Sequence, residues 1–386
     1  MVEEGTMLEI DGSIGEGGGQ VLRSALALSA LTLRPMRIYN IRENRPSPGL
    51  APQHLTAARA LAEISAALME GDALGSTEIV FRPRRIPVPG AYSCDVGGGA
   101  KGGSAGSVTL ILQALLLPLS LASEPSEVRI KGGTHVAWSP SYDYLEDVFL
   151  HALSRIGVQA NCELEAWGFY PRGGGEIHAR VEGRGDRSSV VGAGPTEPAG
   201  RPQGDGGKPA FELGLKGLQI PERGILKKVW GRAVACNLPS HIPQRMADRA
   251  RSLLSPLGVK AQIEPRRVRG VGPGAGIFLT AEFDHVRAGF SALGERGKPS
   301  EEVAEEAVER FRRYLARPGA VDPHLGDQLL LPLALASGPS HYSVSEITGH
   351  LLTNRDVILM ACGREIEVDG NLGEPGQVTV RGPNGG

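Results

Sequence analysis

The sequence predicts an α/β (α+β) fold in which one α/β unit is used three times and a smaller α+β domain is inserted late in the chain. Three observations predict it. The same order of helices and strands recurs with a long period, as repeated units packed side by side would require. The segment 211–284 breaks that order. Before it lies Gly185 to Gly207, a run of Gly, Pro, Ser and charge with almost nothing to bury, which reads as a linker. At 386 residues and 41% hydrophobic, the chain is long enough for two or three domains with their own cores.

The first pass starts with a strand at Met7–Ile10 that runs through Gly15–Gly19 into a helix. Leu22, Ala25, Leu26 and Ser29 share a face of that helix. A strand follows at Met36–Ile41, then a helix from Pro52, a residue suited to a first helical turn. Leu55, Ala58, Ala62, Ser65 and Met69 form its stripe, and strands at Glu78–Phe81 and Tyr92–Val96 close the unit. The second pass begins at Gly102 and Gly103, with helix Val108–Leu121, strand Glu127–Ile130 and helix Tyr142–Ile156, which Gly157 stops. Strands at Val158–Glu163 and Glu176–Val181 finish it. The third runs from about Asp327: a helix, strand His341–Ser345, helix Leu351–Cys362, then strands Glu365–Val368 and Gln377–Val380. The inserted segment carries a helix at Ile242–Leu257 and a strand at Gly276–Phe283; a strand near Ala288–Leu293 and a helix Pro299–Leu315 then return to the main body. The division is therefore 1–184, 185–285 (linker and inserted domain) and 286–386.

Composition excludes several classes. A net charge of −2 provides no overall basic field for gripping long nucleic acid, although a short end held by a few arginines fits. Cys94, Cys162, Cys236 and Cys362 are far apart and form neither a zinc motif nor a disulfide framework, so a reduced, cytoplasmic setting is expected. The N-terminus is acidic and has no hydrophobic signal segment. The apolar run Val108 to Ala122 is too short to span a membrane, so no membrane partner is expected.

Gly15 to Gly19 lets backbone N–H groups approach an anion, and the helix that follows adds partial positive charge. Glu16 would repel a bare phosphate; it fits if a divalent cation lies between, since Mg²⁺ takes one or two carboxylates plus phosphate oxygens. A tight turn is the plain alternative for any glycine cluster. Gly97 to Ser104 contains Lys101 but does not match GxxxxGK[ST], which rejects a P-loop. Arg42 and Arg45 flank Asn44 on one loop, where two guanidinium groups suit a phosphate. His151 and His178 fall inside a helix and a strand; His54 and His350 stand near helix starts, where a neutral imidazole is either a nucleophile or a cap.

Five runs, in order across nearly the whole chain, resemble the RNA 3′-terminal phosphate cyclase family. They are Gly15-Glu16-Gly17-Gly18-Gly19-Gln20-Val21-Leu22-Arg23-Ser24, Pro48-Gly49-Leu50-Ala51-Pro52-Gln53-His54-Leu55, Gly168-Phe169-Tyr170-Pro171-Arg172-Gly173-Gly174-Gly175, Asp327-Gln328 and His350-Leu351-Leu352-Thr353-Asn354. The resemblance implies three βαβαββ-like units, akin to the enolpyruvyl transferases, with a smaller inserted domain. It implies ATP as co-substrate, a divalent metal (Mg or Mn), and an RNA 3′-phosphate end as partner. In that chemistry a histidine is adenylated, AMP passes to the RNA 3′-phosphate, and the 2′-hydroxyl closes a 2′,3′-cyclic phosphodiester. His350 matches the adenylated histidine and Glu16 the metal-contacting glutamate. Gln113, His324, Leu325, Gly326, Asp327 and Gln328 match ATP-binding positions, while Arg23, Arg42, Arg45, Gln53 and Gln20 match residues around the phosphates and RNA end. Pro46 and Ser47 follow Arg45, and Ala51 stands where a basic residue is common, so RNA affinity rests on fewer charges. Two alternatives remain open: a non-catalytic ribosome-assembly relative, which lacks the histidine, and an enolpyruvyl transferase, suggested by architecture alone. Oligomeric state is open, a homodimer being one option.

Overall fold

A computed structural model describes residues 7–97, 104–184 and 214–382. The Gly185–Gly207 linker, residues 98–103 of the Gly97–Ser104 loop and residues 383–386 of the tail lie outside the described residues. The first elements are β1 (Leu8–Asp11), α1 (Gly19–Thr32), β2 (Met36–Tyr39), α2 (Pro52–Ser65), β3 (Leu68–Glu70) and β4 (Ile79–Arg82). Their sheet has the order β1-β2-β4-β3, with β1 and β2 parallel and the other pairs antiparallel.

Next come β5 (Ala91–Asp95), α3 (Val108–Ser120), β6 (Ser126–Gly132), α4 (Tyr142–Tyr144), α5 (Leu150–Arg155), β7 (Ala160–Ala166) and β8 (Gly175–Val181). Here the order is β5-β6-β8-β7, again with the first pair parallel. Two expectations are corrected. The stripe running to Met69 overextends α2, because Ala66 turns left-handed (φ 49°) and Met69 enters β3. The strand at 91–95 does not close the first sheet; it pairs with β6 and opens the second.

A two-residue strand, β9 (Gln219–Ile220), precedes β10 (Leu226–Cys236), α6 (His241–Leu254), β11 (Ala261–Val268), β12 (Gly274–Phe283), β13 (Arg287–Leu293) and α7 (Ser300–Ala316). These last six form a unit of their own, a sheet ordered β11-β10-β12-β13 with α6 and α7 packed together beside it. The expected return of the 288–293 strand and the 299–315 helix to the main body is therefore corrected. A short turn joins β12 to β13, so the two pair as a hairpin. Phe290 of β13 then packs against Phe311 and Tyr314 of α7. Ion pairs Arg245–Glu301 and Arg249–Glu305 tie α6 to α7.

The chain closes with α8 (Pro323–Gln328), α9 (Leu330–Ala334), β14 (Ser340–Val344), α10 (Gly349–Cys362), β15 (Ile366–Asp369) and β16 (Gly376–Val380). β9 pairs parallel to β14, giving the order β9-β14-β16-β15. At the centre of the main body α1 packs against α2, α3 and α10. From Val21 to Thr32 every side chain of α1 except Arg23 is buried, far wider than the stripe read from sequence. Each buried Leu there contributes about 1.5–3 kcal/mol, so the loop before α1 is anchored on a rigid post. Among the described residues no helix is long and apolar enough to cross a membrane.

Candidate functional site

Several helix starts meet around the Gly15–Gly19 loop. Gly15 has φ +59°, and a Cβ there would collide with Thr353 of α10. The missing side chain lets the loop lie on α10: Glu16 N–H donates to Thr353 Oγ1 at 3.2 Å, and Thr353 Oγ1 donates to the Gly349 carbonyl at 2.7 Å. The Glu16 carboxylate is thereby seated against Gly349, where any Cβ would collide with it. An acid at a helix N-terminus is stabilised by the unpaired N–H groups there.

His350 is the second residue of α10, whose start is capped by the Thr348 hydroxyl, acceptor from Leu351 N–H at 3.1 Å. Its Nε2 lies 3.2 Å from Glu16 Oε2, and Arg45 Nη2 lies 3.9 Å from the same oxygen. Desolvation lowers the His350 pKa, against the pull of Glu16, with Arg23, Arg45 and His324 adding to the lowering. The ring therefore favours its neutral form, the form in which a nitrogen lone pair is free. Gly18 sits in the gap, its absent Cβ position 3.2 Å from Arg45 and 4.0 Å from His350.

α1 supplies Gln20 and Arg23. Gln20 Nε2 donates to Asp327 Oδ2 at 2.6 Å, linking residues 307 positions apart, while Gln20 Oε1 is buried without a partner. Burial pushes the Asp327 carboxyl up to about 7, although Gln20 and Arg23 pull the other way. Arg23 is lowered to about 10 by desolvation, with Asp327 opposing. Asn354 joins the two helices: Ser24 Oγ donates to Asn354 Oδ1 at 2.7 Å, and Asn354 Nδ2 donates to the Asp327 carbonyl at 2.9 Å.

The remaining candidates divide. Arg42 takes φ +56° and donates to the Gly49 carbonyl at 2.7 Å, so its guanidinium is partly used in holding its own loop. Gln53 Oε1 accepts from Ser107 N–H, the N-cap of α3, at 2.9 Å. Gln113 Nε2 donates to Gln328 Oε1 at 3.0 Å. In the 324–328 stretch, His324 is exposed and Gln328 half-buried, but the Leu325 side chain is buried in the core and the Gly326 carbonyl accepts from Tyr342 OH at 2.8 Å. Asp322 caps α8, accepting from His324 and Leu325 N–H and from Tyr144 OH.

Sequence reasoning left His54 without a role. It is buried beneath Gly19, and its Nδ1 accepts from Ala51 N–H at 3.3 Å. Burial, with the charges of Arg23 and Arg42, pushes it down to about 3, so it is a neutral structural ring. Thr353 and Asn354 were also passed over as tethers, although both stand in the His350 motif.

Glu16 is the carboxylate that stands beside His350 and Arg45 at the glycine loop. Among the described residues no group of three or more His, Cys, Asp or Glu could hold a metal. One carboxylate beside a loop of backbone N–H groups fits an ion bound mainly through a polyphosphate and water.

A glycine loop, two arginines and a histidine whose pKa is lowered thus meet at helix starts. Residues 14–368 match the family model described as RNA 3′-terminal phosphate cyclase. The RNA 3′-terminal phosphate cyclase of Gloeothece citriformis is 50% identical over 352 residues, 91% of this chain and 93% of that protein. That of Methylococcus capsulatus is 46% identical over 353 residues (92% and 90%), and that of Methanopyrus kandleri 43% identical over 383 (97% and 99%). The chain belongs to the RNA 3′-terminal phosphate cyclase family. The enolpyruvyl transferase NikO of Streptomyces tendae aligns with 99% of this chain and 49% of that chain at a TM-score of 0.35 and 11% identity, too little likeness to bear on architecture.

Proposed function

We propose that the protein converts an RNA 3′-terminal phosphate to a 2′,3′-cyclic phosphodiester at the expense of ATP, with His350 as the adenylated nucleophile. A His350 ring nitrogen attacks the α-phosphorus of ATP; an N–P bond forms, the α–β P–O bond breaks, and pyrophosphate leaves. An oxygen of the RNA 3′-phosphate then displaces histidine from that phosphorus, giving an RNA adenylate. The neighbouring 2′-hydroxyl attacks the activated phosphate, loses its proton and expels AMP.

A phosphate dianion is a poor electrophile without a leaving group. Adenylation provides AMP as that group, and the closing step is intramolecular, so little orientation remains to be lost. A covalent phosphoramidate divides one hard displacement into easier ones. Glu16 would hold Mg²⁺ or Mn²⁺, which supplies neutralisation of phosphate charge. Gln20, Arg23, Arg45 and Gln53 would orient phosphates and the RNA end, and Gln113 with His324, Asp327 and Gln328 would form the nucleotide side. Leu325 and Gly326 would contribute by shaping α8. The observation that carries the reading is the 3.2 Å contact of His350 with Glu16 at the junction of two helix starts.

The shared strand order of three sheets supports reading the main body as three βαβαββ units, with the insertion between β9 and α8. A cytoplasmic setting belongs to the same proposal, supported by four buried, unbridged cysteines. Incubation with α-labelled ATP and divalent metal should leave label on the wild-type protein that acid releases and alkali does not, as a phosphoramidate requires. Label retained by His350→Ala would move the nucleophile elsewhere. Cyclase-like binding without any labelling would favour the non-catalytic alternative.

A further inference from the structure

Away from the helix starts, three loops meet: 133–141 between β6 and α4, 167–174 between β7 and β8, and 269–273 between β11 and β12. Thr134 and His135 N–H both donate to the Gly168 carbonyl, at 2.9 and 3.0 Å. Trp167 bridges to Gly270, Gly174 lies against Val271, and Gly272 packs along the Arg172 stem, its Cβ position 3.4 Å away. The three loops are thus one platform, built jointly by the second sheet's unit and the inserted unit.

The platform presents aromatic rings to water. Trp138 is fully exposed and Tyr170 largely so. Trp138 also takes φ +64°, a left-handed conformation that a bulky residue adopts only at a cost. Packing does not account for holding a tryptophan out in solvent on a strained turn. Arg172, two residues after Tyr170, and Arg269, next to Gly270, are exposed on the same loops, without an ion-pair partner among the described residues.

A short segment joins the platform to the candidate site. Gly173 lies against Ser104 and Ala105, Gly106 packs on Gln53, and Ser107 N–H donates to Gln53. Ser104 and Ser107 are at most about 10 Å apart even when fully extended.

We infer that Trp138, Tyr170, Arg172 and Arg269 form a track for the single-stranded RNA that precedes the terminal phosphate. Bases stack on the two rings and backbone phosphates meet the two arginines. The inference rests on the cyclase reading and adds to it the place where the nucleotides preceding the terminal phosphate bind. Exposed rings interleaved with arginine suit single-stranded nucleic acid, because every base has a π-face. With a net charge of −2, grip on the strand must come from such local positive charge.

The test measures KM for cyclisation of two 3′-phosphorylated RNAs, a dinucleotide and an unstructured strand of about twelve nucleotides, using the full chain with ATP and metal. Trp138→Ala should raise KM for the longer strand by about fivefold or more, and Trp138→Ala with Tyr170→Ala by about 25-fold or more. Dinucleotide KM and covalent labelling by ATP should not move. Trp138→Phe should restore most of the loss. Arg172→Gln with Arg269→Gln should flatten the salt dependence of KM by about 0.7 in log–log slope for each phosphate contact removed. KM unchanged on the long strand, or raised equally on both, would overturn the track, and unchanged RNA use would leave the rings as a surface for another macromolecule. A wild-type protein that neither labels nor cyclises the dinucleotide would instead remove the cyclase reading beneath it.

Discussion

Two of the histidine–carboxylate–arginine constellations among the described residues are built oppositely. His350, Glu16 and Arg45 stand at distances of 3.2 and 3.9 Å, with side chains 48%, 38% and 42% exposed. His135, Asp143 and Arg232 stand at 2.8 and 2.7 Å, with His135 and Asp143 only 0% and 5% exposed. His135 is also enclosed by rings: Trp167 stacks on it at 4.6 Å, Phe169 at 5.4 Å, and Phe278 lies tilted at 4.6 Å. Its Nδ1 lies 2.8 Å from Thr134 Oγ1. Burial works against the charge of Asp143, yet the hydrogen bonds and charges of His135 and Arg232 outweigh it and hold the carboxyl below its usual range. In the second constellation both Asp143 oxygens are taken, one by His135 Nε2 and one by Arg232 Nη1, and the latter bond joins the inserted sheet to α4. The first leaves lone pairs open to solvent, which is what a site for a phosphate, a cation and a nucleophile needs. A histidine beside a carboxylate is thus informative only together with what remains unsatisfied around it.

The comparison breaks most sharply by mutation of each histidine cluster in turn. His350→Ala should abolish ATP labelling entirely while leaving the thermal midpoint within a degree or two, because an exposed ring contributes little to stability. Asp143→Ala should do the reverse. Removing one partner of a buried pair costs about 3–5 kcal/mol, and the low end applies because Arg232 reaches water. Denaturant melts would show that loss, while labelling per folded molecule should stay near wild type. A normal midpoint for Asp143→Ala would remove the contrast. Glu16→Gln comes next in size: the Mg²⁺ or Mn²⁺ concentration for half-maximal labelling should rise by at least about tenfold. Titration of metal against label in the two proteins checks it.

The legible part of this architecture was local. The Gly258 stop after α6 and the paired strands that end the second sheet (β7 with β8) and the last (β15 with β16) follow from periodicity and turn residues. Misplaced elements are those whose partners lie far along the chain or whose local signal was ambiguous. β9 has two residues and pairs with β14 across the whole inserted unit, so no local pattern marks it. β5 looked like the end of one unit because it follows β4, whereas its partner β6 comes only after α3. In the candidate site, the Gly15–Gly19 loop and His350 were readable as motifs. That Gly15 and Gly349 are small because Thr353 and Glu16 occupy the space beside them was not. The Gln20–Asp327 hydrogen bond depends on α1 and α8 meeting in three dimensions. His54 was visible in its motif, but only the fold shows that it is sealed under Gly19 rather than turned to a ligand.

The smallest effect tests whether openness in the first constellation extends to its neighbour Asp327. Burial raises this carboxyl from 3.8 to about 7, so between those values the folded protein binds a proton that the unfolded chain has released. Stability from this group is therefore present in full below pH 4 and is lost as pH rises towards 7. Asp327→Asn keeps an acceptor for Gln20 and removes the titration. Its midpoint should match wild type near pH 4 and exceed it at pH 8, by about 1–2 kcal/mol, below the ~4 kcal/mol a fully sealed carboxyl would contribute. If the carboxylate serves the nucleotide, ATP labelling should fall at the same pH where the variant is more stable, which is the mark of a residue kept for function against the interest of folding. Thermal melts of both proteins from pH 4 to pH 8 decide it, because a constant difference across that range would mean that Asp327 is already ionised in the folded state and as well solvated as Glu16.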